Sequence, residues 1–400
     1  MSNDQSTTET NSFEAPDMGE PYLLTPGPLT TAKEVKRAML KDWGSWDGDF
    51  RAMTAALSEK LLAIAGDRKG EFDCVPIQGS GTFSVEAMLG SFIPKKSKTL
   101  VLINGAYGKR IVETLQYLSH DYTVIDKGDY MPPRAAEVAE AIEADPTITH
   151  VVVVHCETSS GILNPIQEIS DTVYASGRKL LVDSMSAFGA LPLDVNETRF
   201  EAMVSSANKC IEGVPGFGFV IARKTELEAA KGRGHSLSLD VHAQWANFNK
   251  TGQWRFTPPT HVVAAFLKAL EMHEAEGGAP GRLARYIQNR DTMVAGMREL
   301  GFETLLKDRW LSPIIVTFFN PAHKNFDFTR FYEHMKSRGF IIYPGKLTVV
   351  DSFRIGCIGR MDENVMRQVV DAARDSLEAM SVDNATPPQK ALQERAKLAA

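Results

Sequence analysis

Apolar residues along this chain fall into two alternating patterns. The runs "TLVLING" (99–105), "YTVIDKG" (122–128), "HVVVVHC" (150–156), "KLLVDSMS" (179–186) and "GFGFVIAR" (216–223) are of strand length and continuously apolar. Strands buried on both faces read this way. Between them, "KRIVETLQYLSH", "RAAEVAEAIEAD" and "IQEISDTVYASG" place apolar residues at helical spacing. The alternation predicts an α/β domain with a mainly parallel sheet flanked by helices, whose ligands collect at the carboxyl ends of the strands.

Beyond residue 275 the pattern changes. A long amphipathic helix in "GGAPGRLARYIQNRDTMVAGMRELG" is followed by strand, helix, strand, strand and helix, which predicts a smaller C-terminal α+β domain. The divisions expected are a disordered terminus over 1–20, a segment over 21–40, a large domain over 41–276, a small domain over 277–380 and a flexible tail over 381–400.

Composition narrows the function. A chain of 400 residues, 43% hydrophobic with a net charge of -6, is an ordinary globular protein without the basic excess of a nucleic-acid binder. No apolar run reaches the roughly 18 residues of a membrane span, and the polar, acidic first 20 residues are no secretory signal. Cys74, Cys156, Cys210 and Cys357 are far apart, and the histidines lack ligand spacing, so neither a disulfide framework nor a metal site is expected. The expectation is a cytoplasmic protein.

Candidate chemistry lies at the predicted strand ends. Gly79, Ser80, Gly81 and Thr82 precede a helix, where backbone N–H groups and hydroxyls can cradle a phosphate; taken alone they read first as a helix cap with a flexible turn. Asp183 ends a buried strand, as a partner for a cationic ring nitrogen or as an N-cap. Lys209 follows one strand-sized passage later, a surface charge by itself but a Schiff-base amine beside an anion cup and an acid. Thr158 offers a hydroxyl and Tyr107 a ring to stack on. Arg354, within the apolar "FRIGCIGR", needs an anion, either a bound carboxylate or an internal acid. Phosphate cup, strand-end acid and amine are together the parts that hold pyridoxal 5′-phosphate.

These residues sit in a wider set of motifs: "LLTPGPLTT" (23–31), "DWGSWDGDF" (42–50), "QGSGTFSVEA" (78–87), "NGAYGKR" (104–110), "HCETSSGILNP" (155–165), "VDSMSAFGALP" (182–192), "NKCIEGVPGFGFV" (208–220), "TGQWRFTPPTH" (251–261), "YPGKLT" (343–348) and "FRIGCIG" (353–359). From Tyr22 to Met380 the chain resembles the class V, fold-type I pyridoxal-phosphate aminotransferases, and within them those acting on an aminophosphonate. The resemblance implies Lys209 as the Schiff-base lysine and Asp183 as the pyridinium partner. It implies Ser80, Gly81 and Thr82 with Asn208 at the phosphate, Tyr107 over the ring and Thr158 at the ring hydroxyl. Thr257 would reach the phosphate of a neighbouring subunit, making a homodimer with shared sites. Arg354 would grip the carboxylate of pyruvate or alanine, Thr25 and Arg255 are candidates for the phosphonate, and residues 21–40 would line the substrate entrance. The implied reaction is 2-aminoethylphosphonate plus pyruvate giving phosphonoacetaldehyde plus L-alanine, ping-pong through Lys209. Another class V transamination, of the alanine– or serine–glyoxylate type or on a substituted aminophosphonate, stays open.

Overall fold

The computed structural model describes residues 19–345 and 350–398. The expectation for the first 20 residues therefore lies, apart from Gly19 and Glu20, outside the described residues, as does the end of "YPGKLT".

Seven strands form the principal sheet: β1 (Phe72–Gln78), β2 (Lys98–Ile103), β3 (Asp121–Asp126), β4 (Ile148–Val154), β5 (Lys179–Asp183), β6 (Ala202–Ser206) and β7 (Phe217–Arg223). Their order is β1-β7-β6-β5-β4-β2-β3. Only β7 runs against its neighbours. The other six therefore end on one edge, which gathers Gln78, Ile103, Val154, Asp183 and Ser206.

The continuous apolar runs have the predicted cause. Leu100 and Leu102 pack into one core while Val101 and Ile103 pack into another, because successive side chains leave a strand on opposite faces. Helices α1 (Gly48–Ile64), α4 (Ala135–Ala144), α5 (Ile166–Ala175) and α6 (Thr260–Ala275) cover the first face. Helices α2 (Gly81–Phe92) and α3 (Ala106–Tyr117) cover the second. Each fully buried Val or Leu contributes about 1.5–3 kcal/mol. The outer strand β3 departs from the expectation of burial on both faces: Val124 is 43% exposed and belongs to neither core.

A second, three-stranded antiparallel sheet holds β10 (Ser352–Gly356) between β8 (Ile315–Phe319) and β9 (Tyr343–Pro344). Its core is shared with α7 (Gly278–Glu299), α8 (Phe328–Ser337) and α9 (Glu363–Ala379). Asp362 caps α9, accepting from the N–H groups of Asn364 and Val365 at 3.0 and 3.1 Å. The N-terminal segment packs on this C-terminal unit. Tyr22 and Leu23 pair in parallel with Phe340 and Ile341, and Gly356 N–H donates to Leu24.

The tail, read as flexible from its sequence, is helical over Gln389–Leu398. Its narrow apolar face suffices because Ala391 and Leu392 reach the second core and Arg395 donates to the Thr304 carbonyl at 2.6 Å. Among the described residues no helix is long and apolar enough to cross a membrane.

Candidate active site

The carboxyl ends of β1, β4, β5 and β6 surround a cavity with about 460 Å³ of atom-free space, including its mouth. Gly81, Thr82, Tyr107, Asp183 and Lys209 line it, together with Arg110. Five of the six are residues singled out from sequence. Arg110 was missed, although it stands one turn after Tyr107 on the same face of α3 and lies 5.0 Å from that ring.

Two helices begin at this cavity, and their ends differ. In α3 the first-turn N–H groups are taken internally: the buried Glu157 carboxylate accepts from Tyr107 at 3.0 Å and Gly108 at 3.2 Å, and Ser159 Oγ accepts from Ala106 at 2.9 Å. Gly105 lets the chain pass, since a Cβ there would fall on Ser159 Oγ and the Glu157 side chain. Burial pushes the Glu157 carboxyl up despite the donors from Ser159, Gly108 and Tyr107 that pull it down. In α2 the N-cap residue Ser80 gives no side-chain cap, and Ser80 and Thr82 are exposed. First-turn N–H groups have no acceptor within their own helix. The end of α2 is thus the one left for an anion.

Asp183 is buried beside Val154, with Met185 N–H donating to Oδ1 at 3.0 Å. Burial pushes its carboxyl up to about 6, against the pull of Met185, Lys209 and Arg110. Burial also drives the neighbouring His155 down to about 4, so that ring is neutral at pH 7. Its Nδ1 lies 3.2 Å from Ser184 Oγ.

Lys209 stands on the turn after β6. Its backbone carbonyl accepts from Glu212 N–H at 2.7 Å and Ala207 accepts from Gly213 at 2.9 Å, closing the turn. Its Nζ donates to the Pro26 carbonyl at 2.7 Å.

Arg354 lies in β10, 2% exposed, where Nε donates to Pro344 O at 3.1 Å and Nη1 to Thr158 O at 3.0 Å. Among the described residues no carboxylate lies within 4.0 Å of it, so the internal salt bridge weighed from sequence is absent. Burial pushes its pKa down. Thr158 is fully buried with Oγ1 lacking a hydrogen-bond partner, and so is Ser206 Oγ.

The remaining residues fall in two places. Asn208 adjoins Lys209, and Thr25 is buried beside Pro26 with its hydroxyl on Pro28 O. Arg255 and Thr257 stand apart from the cavity on the loop before α6, where Arg255 Nη1 donates to Leu237 O at 2.7 Å and Thr257 is exposed.

Residues 79–336 match the family model for class-V aminotransferases. The chain belongs to the class V aminotransferases. As a class V aminotransferase it is similar over nearly its whole length to curated relatives. It is 76% identical over 383 residues, 96% of this chain and 100% of the relative, to the 2-aminoethylphosphonate–pyruvate transaminase of Rhizobium meliloti. It is 50% identical over 362 residues, 90% of this chain and 98% of the relative, to that of Pseudomonas putida. Among solved structures, pyridoxamine-pyruvate aminotransferase from Mesorhizobium loti superposes with a TM-score of 0.83 at 22% identity, covering 96% of this chain and 100% of the other. Aspartate aminotransferase from Thermus thermophilus gives 0.80 at 22% identity, covering 90% and 99%. These structures share the fold, the fold-type I architecture expected from sequence.

The site fits the cofactor of this family, pyridoxal 5′-phosphate. An open helix end suits the phosphate, and a buried acid lacking a full counter-charge suits a protonated ring nitrogen.

Proposed function

We propose that this protein transfers the amino group of 2-aminoethylphosphonate to pyruvate, giving phosphonoacetaldehyde and L-alanine, with Lys209 and Asp183 as its central residues. The observation that carries the reading is the single cavity in which the Lys209 amine and the buried Asp183 meet the open end of α2. The full-length likeness to relatives named for that reaction supports the choice of substrates.

When bound, the cofactor supplies an aldehyde to receive the amino group and a ring that withdraws electrons from the carbon bearing it. Gly81 and Thr82 N–H, with Ser80 and Asn208, would hold the phosphate. Asp183 would keep the ring nitrogen protonated, which would also relieve the cost of its own burial. Tyr107 would cover the ring and Thr158 would offer its hydroxyl to the ring oxygen. Lys209 Nζ takes the proton from the amine-bearing carbon of the donor and returns one to the keto carbon of pyruvate. Arg354 already spends two donors on Pro344 and Thr158, and its remaining N–H groups receive the carboxylate of pyruvate or alanine. Thr25 and Arg255 are the candidates for the phosphonate. Because one cavity serves both substrates in turn, the kinetics are ping-pong.

The working unit in this reading is a homodimer with shared sites. Trp46, Leu237 and Phe256 are exposed by 74%, 72% and 41% on elements that touch one another. Arg51 lies over Trp46 and beside Gly252, while Arg255 lies over Phe256 and reaches Leu237. A second copy on this face would bring Thr257 to the partner's phosphate. Four unpaired, buried cysteines accord with a reducing cytoplasm.

Alanine formation from pyruvate across a panel of amines tests the reading. 2-Aminoethylphosphonate is expected to be the preferred donor; alanine from serine or another amine but not from it would replace the substrate. Borohydride reduction with pyridoxal 5′-phosphate should attach the cofactor at Lys209 and not in Lys209→Ala.

A further inference from the structure

Three residues beyond Lys209, Glu212 holds a left-handed backbone at φ 62° with its carboxylate buried. Side chains rarely adopt that conformation, which a glycine would hold without strain. The carboxylate meets a closed set of partners. Tyr286 OH donates to Oε1 at 2.6 Å, Arg285 Nη2 donates at 2.8 Å, and Arg282 Nη1 lies 3.5 Å away. Arg282 is itself 1% exposed and its Nη1 donates to Cys210 O at 2.5 Å. Glu276 completes the cluster, accepting from Arg282 Nε at 2.8 Å and Arg285 Nε at 2.7 Å. Two carboxylates and two guanidiniums are in direct contact, and the half-buried Arg360 guanidinium lies close enough to feel both acids.

The cluster reaches further than the Lys209 turn. Arg285 Nη1 also donates to Gly359 O at 2.5 Å and Met361 O at 2.9 Å, and Asn289 Nδ2 donates to Cys357 O and Met361 O, both at 3.1 Å. Residues 357–361 continue directly from β10, the strand that carries Arg354. One guanidinium thus touches the carboxylate of the Lys209 turn and the chain leaving Arg354. Burial pushes the Glu212 carboxyl up, but Arg282, Arg285 and Tyr286 outweigh it and hold it at about 2, so it stays charged through the physiological range.

An apolar contact would join these segments at lower desolvation cost, and a strained residue beside a reactive group points to function. We infer that Glu212 is a positioning residue: through Arg285 it ties the turn presenting Lys209 to the segment that follows Arg354, fixing the spacing between amine and guanidinium. The inference deepens the proposed function and rests on it, since the spacing matters only if one substrate meets both groups.

The test uses full-length protein loaded with pyridoxal 5′-phosphate, comparing wild type with Glu212→Gln, Arg285→Lys and Tyr286→Phe. A control, Phe331→Leu in the second core, supplies destabilisation without touching the cluster. For each, the pH midpoint of the bound cofactor's visible band is measured with kcat, KM for pyruvate and thermal midpoint. Glu212→Gln is expected to move the band's midpoint by about half a pH unit or more, and to raise KM for pyruvate about tenfold while lowering kcat. Tyr286→Phe, which removes one hydrogen bond and no charge, should move both in the same direction by less, and it carries the test should Glu212→Gln not fold. Arg285→Lys should fall between. Variants that lose thermal stability like the control yet keep the wild-type midpoint and KM overturn the inference and leave the proposed function standing. A wild type that develops no visible band with the cofactor overturns both.

Discussion

Lys209 Nζ donates to the carbonyl of Pro26 across 2.7 Å, joining the amine at the sheet edge to the N-terminal segment 183 positions earlier in the chain. The adjoining Gly27 makes the approach possible. Its φ is 130°, and a Cβ there would lie 2.7 Å from Lys209 Nζ and 3.0 Å from Asn208 O. Gly27→Ala is therefore expected to displace the amine while leaving both sheets intact. The visible band formed with pyridoxal 5′-phosphate should weaken and kcat fall about tenfold or more, with a smaller change in thermal midpoint. A variant with an unchanged band and turnover would show the close approach to be incidental.

Asp183 gives the cofactor-free protein a defined pH dependence. Its carboxyl is raised from 3.8 to about 6, so the folded state holds the proton more tightly than the unfolded chain. Stability from this group is full below pH 4, declines as pH rises through 4 to 6, and is lower by roughly 3 kcal/mol above that window. Glu212 acts with the opposite sign: its carboxyl is depressed from 4.5 to about 2, so its contribution is present above pH 4.5 and lost as pH falls towards 2. Denaturant unfolding from pH 4 to 7 should show the Asp183 decline in wild type and not in Asp183→Asn. Added pyridoxal 5′-phosphate should suppress it.

Glu157 closes the N-terminus of α3, and its neutral isostere cannot do so with both oxygens. In Glu157→Gln an amide NH₂ would face N–H donors of Tyr107, Gly108 or Ser159. The expected loss is about 1–3 kcal/mol of stability, with weaker cofactor affinity as Tyr107 loses its anchor. Paired unfolding and cofactor titrations check this.

Arg354→Lys keeps the charge and removes the planar fork. KM for pyruvate should rise about tenfold or more. Single-turnover rates with 2-aminoethylphosphonate, which has no carboxylate, should change less. Equal losses in both half-reactions would place Arg354 with the framework instead of the carboxylate.

A homodimer with shared sites can be read from complementation. Lys209→Ala and the double variant Arg255→Ala, Thr257→Ala should each be inactive or nearly so. Refolded together in equal amounts, about a quarter of the sites regain both intact contributions. Absence of recovery in a mixture shown to contain mixed dimers would confine the site to one chain.

The strand-end chemistry was legible because it depends on local pattern. A continuous apolar run such as Val151–Val154 announces a buried strand, and the residues just after such a strand must emerge at the ligand-binding edge. Asp183 and Lys209 could be placed there from sequence, and the surrounding motifs supplied the family. Strand β1 was not legible. Pro76 argues against a strand locally, yet β1 is an edge strand and tolerates it opposite Phe219 of β7. Periodicity also could not separate β3 from the central strands, because exposure of Val124 depends on which helices the folded chain lays over that strand.

Sequence by itself determined the alternating α/β pattern, the order of the strand-end groups and the chemistry those groups can perform, since each depends on residue type and nearby spacing. Tertiary structure alone decided which helix end stays open, because Glu157 reaches α3 from a short strand 50 positions away. It likewise decided that Arg354 donates to the Pro344 and Thr158 carbonyls, with no acid beside it among the described residues, and that Glu212 finds Arg285 across 73 positions. Pairings of buried charges are made between distant segments, and their energies depend on distances and burial that only the folded chain sets.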